Sequence, residues 1–74
     1  MSDMNNELKN LKGGEFDKAF LTMMIEHHQG AIDMAKSAQE NAQHQEIKAM
    51  ATDIISAQSG EIDQMKSWQR QWGY

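Results

Sequence analysis

Apolar side chains recur at helical spacing in two long runs of this chain, and no proline interrupts either of them. Phe16, Phe20, Met23, Met24, His27, Ala31, Met34, Ala35, Ala38 and Ala42 fall within one arc roughly 120° wide when each residue turns by about 100°. Leu21, Ile25, His28 and Ile32 widen that arc on one side. The second run is Ile47, Met50, Ala51, Ile54, Ile55, Gln58, Glu61, Ile62, Met65, Trp68 and Trp72. β-Branched residues are few, whereas Ala, Met, Glu, Gln and Lys, which lose little freedom in a helix, abound. These periods dictate an all-α chain, with one long helix starting near Glu15 and a second over 45–72.

One unbroken helix has nothing to bury so wide a stripe against, so we expect a tight turn at Asn41-Ala42-Gln43-His44-Gln45. The segment has neither glycine nor proline, but asparagine is an acceptable helix terminator. With the turn centred on Gln43, facing residues of an antiparallel hairpin have numbers summing to about 86. His27 and His28 then meet Gln58 and Glu61, the polar residues that stand on otherwise apolar stripes. Phe16 and Phe20 lie near Trp68 and Trp72, which clamp the open end. Gly30 and Gly60 sit near the histidine level as candidates for a close backbone approach. Ahead of this hairpin domain (residues 15–74), Met1, Met4, Leu8 and Leu11 recur at helical spacing. They make a short amphipathic N-terminal helix within 1–12, cut off by Gly13-Gly14.

A chain of 74 residues makes one small domain, and a core this modest normally has additional support. With no cysteine, disulfides, zinc–thiolate sites and iron–sulfur clusters are excluded. Metal binding, association and regular helix packing remain. Two helices bury one face each, so pairing of two copies into a four-helix bundle is expected. The net charge of −4 and the scattered single lysines argue against a nucleic-acid partner. No apolar run reaches transmembrane length, and residues 1–11 are polar, without the apolar centre of a signal peptide.

Imidazole and thioether sulfur together suit a soft metal, above all copper(I). Met24 lies three and four residues before His27 and His28, and is therefore their neighbour on the helix. The expected ligands are Met24, His27, His28, Met34 and Glu61, with Asp17, Met23 and Gln58 as further donors. A plainer reading stands beside it: an interior histidine is commonly hydrogen-bonded to a carboxylate or amide, and Glu61 or Gln58 suffices. The protein is then a structural or interaction module whose His/Gln/Glu layer sets register. A di-iron centre wants Glu-x-x-His pairs, which are absent. Zinc would leave the methionines unexplained. His44 is expected in solvent near the turn. The serines and threonines have no identifiable His/Asp constellation, and no enzyme activity is expected.

The stretches Phe16-Asp17-Lys18-Ala19-Phe20 and Met24-Ile25-Glu26-His27-His28-Gln29-Gly30-Ala31-Ile32-Asp33-Met34-Ala35 resemble domain-of-unknown-function family 305. So does the run from Ile54 through Gln58, Glu61 and Met65 to Trp68, and the resemblance covers residues 16–72. It implies a ferritin-like bundle and an exported bacterial protein, periplasmic or otherwise extracytoplasmic, with some members linked to copper and silver binding or tolerance. The family motif falls on Met24, His27, His28 and Met34, and in the second helix on Gln58, Glu61 and Met65. The expectation is a copper(I)- or silver(I)-binding hairpin that sequesters metal, forms homodimers or larger homo-oligomers, and does not insert into membranes.

Overall fold

A computed structural model describes residues 8–74; most of the N-terminal helix expected within 1–12, including Met1 and Met4, lies outside them. The described residues fold as an antiparallel hairpin of two long helices, α1 (Gly13–Asn41) and α2 (Gln45–Trp72). α2 has the bounds its apolar period implies, and α1 begins two residues ahead of Glu15. Leu8, at the edge of the described chain, is buried.

The ends of the helices follow from local chemistry. Extended backbone at Lys12 precedes α1, and Glu15 places a carboxylate in the first turn, where the helix dipole is positive. Asn41 ends α1 with its side chain rather than with left-handed backbone: its Nδ2 donates to the Ser37 carbonyl at 3.0 Å. Among the described residues, none other than glycine has positive φ. Ala42 turns extended, with its N–H on the Ala38 carbonyl at 2.9 Å. The His44 carbonyl then accepts from Ile47 and Lys48 and opens α2. At the far end Gly73 supplies φ 75°, and Tyr74 N–H closes back on the Gln69 carbonyl at 2.8 Å, a Schellman closure.

The core is a single seam. Leu21, His28, Ile32 and Ala35 of α1 pack with Ala51, Ile62 and Met65 of α2. It is narrower than the stripes, because two cylinders touch along one line. Phe20, Met34, Ile47, Met50, Trp68 and Trp72 therefore stay exposed.

Register differs from the expected sum of about 86. The numbers of contacting residues sum to 89 for His28–Glu61, and to 91 for Gln39–Thr52 and Asp17–Tyr74. Every Cα–Cβ bond leans toward its own helix N-terminus, so a side chain covers a spot about one residue behind its Cα. In an antiparallel pair both leans raise the sum, and long side chains raise it further.

Two smaller expectations are corrected. The aromatic residues stack within their own helices, Phe16 on Phe20 at 5.9 Å and Trp68 on Trp72 at 5.7 Å between ring centroids. The side chain that reaches across the open end is Tyr74, whose hydroxyl donates to Asp17 Oδ2 at 3.4 Å. Gly30 and Gly60 permit no close approach, since a Cβ at either would meet nothing within 4 Å.

Candidate metal centre

Helical spacing puts Met24 and His28 on one line of α1, four residues apart, and Glu61 and Met65 likewise on α2. The pairs Met24–Met65 and His28–Glu61 share one register sum, so Met65 stands level with Met24 as Glu61 stands level with His28. His28 and Met65 are buried, Met24 is half-buried, and the Glu61 side chain is 59% exposed. The result is a small patch of two thioethers, an imidazole and a carboxylate, buried at His28 and Met65 and open to water at Glu61.

The centre of the patch is the His28 ring. Its Nε2 lies 3.2 Å from Glu61 Oε1. An ionised carboxylate only accepts, so in a neutral ring this bond places the hydrogen on Nε2 and leaves Nδ1 with its lone pair. Nδ1 is buried and has no hydrogen-bond partner. A buried polar atom without a partner is uncommon and calls for an explanation.

The other expected ligands are dispersed. His27 is exposed, its ring centroid 6.3 Å from that of His28 and its plane turned by 64°. Consecutive residues diverge by about 100° around a helix, so only one of two adjacent histidines enters the seam. Met34 is 71% exposed and lines a separate apolar groove near the turn with Ala38, Ile47, Met50 and Ile54. Asp17 is committed to Tyr74 at the open end. Met23 and Gln58 are half-buried. His44 is exposed at the turn. Among the described residues no three His, Asp or Glu side chains gather closely enough to hold a metal ion. The sequence signal for weighting Met65 more heavily is the mirrored four-residue spacing, Met24 to His28 and Glu61 to Met65.

Tyr74 follows the end of α2 and lies off both apolar stripes. Partial burial against α1 raises its phenol pKa above the ordinary value, and the charge and hydrogen bond of Asp17 add to the shift. Nothing in the apolar period signals a contact made by a residue beyond the end of a helix.

No helix among the described residues is long and apolar enough to cross a membrane. No solved structure matches the chain. An uncharacterized protein of Acanthamoeba polyphaga mimivirus, L153, is 45% identical over 51 residues, which is 69% of this chain. The chain spans about a third of that relative's length (34%). The model of a domain of unknown function, DUF305, matches residues 1–69, and the chain belongs to that family.

Proposed function

We propose that the protein binds a soft monovalent ion, copper(I) or silver(I), through His28 Nδ1 with Met24 and Met65, and serves metal sequestration or tolerance. The observation that carries this reading is the buried, unpartnered Nδ1 on a ring whose other nitrogen is held by Glu61. Metal-bound histidines very commonly hold their second nitrogen against a carboxylate in this way, which fixes the tautomer and strengthens the donor. Thioethers at the same level supply soft ligands suited to copper(I). The ion itself supplies affinity for a folded arrangement of these side chains; the chain orients the imidazole and keeps it dry. An extracytoplasmic location, as the family resemblance implies, belongs to the same proposal.

The test is titration with copper(I) or silver(I), read by non-denaturing mass spectrometry and by thermal melting. An ion that binds only the folded chain stabilises it by about 2.7 kcal/mol at a hundredfold excess over Kd. His28→Ala is expected to abolish the shift, Met24→Leu and Met65→Leu to reduce it, and Glu61→Gln to weaken affinity by about 10- to 100-fold. Unchanged affinity in His28→Ala, or in the His27→Ala/His28→Ala double variant, overturns the reading.

A second reading rests on the His28–Glu61 hydrogen bond itself, which already joins the two helices. The pair then serves packing specificity alone. In that case silver(I) leaves the melting temperature unmoved, and an apolar replacement of both residues is neutral or stabilising.

A further inference from the structure

The uncovered flank of the hairpin is one continuous face. Phe20, His27 and Met34 stand seven residues apart on α1, and Ile47, Ile54, Glu61 and Trp68 stand seven apart on α2. A seven-residue period is the seam of a left-handed helical bundle. On this face Phe20, Met34, Ile47, Met50, Trp68 and Trp72 are exposed large apolar residues. Its two ends differ in shape. Bulky Phe20, Trp68 and Trp72 rise at the open end, and the turn end is a groove floored by Ala31, Ala35, Ala38 and Ala51.

The surface of the whole chain is large for its mass. A compact monomer of 8.4 kDa exposes about 4,600 Å² by the usual scaling with mass. This chain exposes 5540 Å². The excess, on the order of 900 Å², is close to the roughly 800 Å² that each partner buries in a stable interface. The radius of gyration, 14.9 Å, likewise exceeds the roughly 11 Å of a compact chain of this length. The hairpin is a single layer, 13 Å in its thinnest extent, and lacks a second.

We propose that a second copy of the chain covers this face with its turn end against the first copy's open end. The two-fold axis lies in the interface, perpendicular to the helices, at the level of His27. Residue 27 is the midpoint of α1, and Phe20 and Met34 lie seven residues to either side of it. The symmetry therefore sets Phe20 of each copy level with Met34 of the other. On α2 the axis falls between the helix midpoint and Ile62, the residue that the register of His28–Glu61 sets level with His27, and it brings Met50 of one copy to the Trp68–Trp72 end of the other. Each bulky end thus meets an alanine-floored groove. An axis parallel to the helices would instead stack bulky on bulky and groove on groove. His27, exposed in the single chain, meets its own copy at the axis, and it shares the otherwise apolar seam with Glu61. Polar residues in such a seam select one register, because any other register buries them against apolar neighbours. This inference does not depend on metal binding, and its test contains no metal.

The experiment uses the full chain, which has no cysteine, so that single cysteines report neighbours. Sedimentation equilibrium is expected to give twice the chain mass for the unaltered protein. Met34→Glu/Met50→Glu is expected to give a monomer with unchanged helical circular dichroism, because those side chains are 71% and 61% exposed in the single hairpin. His27→Cys is expected to form a disulfide with its own copy. An equimolar mixture of Phe20→Cys and Met34→Cys chains is expected to give the mixed dimer. A monomeric unaltered chain, or a dimer that survives Met34→Glu/Met50→Glu, overturns the proposal. So does cross-linking of Met34→Cys to Met50→Cys chains without self-linking of His27→Cys, which is the signature of the parallel axis.

Discussion

At His28 the two ring nitrogens have opposite surroundings, Nε2 on the Glu61 carboxylate and Nδ1 buried without a partner. The pairing is readable in the sequence, since a histidine and a glutamate on facing apolar stripes have little else to bond. Which of two adjacent histidines turns inward is not readable from a stripe that includes both. It depends on where the second helix lies, and only a packed structure places that. Tyr74 carries a separate prediction. Its phenol pKa is raised in the folded chain above the ordinary 10.0, by burial first and then by Asp17. As pH rises past the ordinary value, the unfolded chain gives up this proton more readily than the folded one. The stability contributed by the neutral phenol is therefore whole below about pH 10 and is lost as pH climbs through the folded-state value. The Tyr74→Phe variant should escape that loss. Melting temperatures of the two proteins measured at pH 7 and pH 11 should show the unaltered chain falling further.

On the scale of the helices, period alone locates α2 and places the start of α1 within two residues. Apolar spacing is a local property and survives without any knowledge of the partner helix. The need to bury the stripes, rather than any turn residue, calls for the hairpin turn, and in place of left-handed asparagine the Asn41 amide caps the Ser37 carbonyl. The register exceeds the expected residue sum by three to five because Cα–Cβ bonds lean toward each helix's own N-terminus. Gly30 and Gly60 are not contact glycines, since both face open space within regular helix. Here the absence of a side chain only costs backbone entropy. Gly30→Ala and Gly60→Ala should each stabilise the fold by about 0.5–1 kcal/mol. For a domain of this size each raises the melting temperature by several degrees, on the order of 4–8 °C per kcal/mol. Calorimetry of the single and double variants checks both values, and the two effects should add, since neither position touches the other's surroundings.

At the largest scale the described residues form one layer of two helices with an apolar flank open along its length. If two copies share that flank, folding and association are linked, and the melting temperature should rise with chain concentration. A melting temperature constant across a hundredfold dilution would place all the stability in the isolated hairpin. By itself the sequence determined the all-helical class, the two helices and their apolar faces, because each rests on spacing within one segment. It also brought His28 and Glu61 to one level, because polar residues on buried stripes seek each other. Only the tertiary structure decided that His27 and Met34 turn outward, that Met65 joins Met24 at the His28 level, and that one histidine nitrogen is left without a partner. Those outcomes depend on the angle and register at which two helices meet, and the stripes are wider than the seam that any single pair can bury.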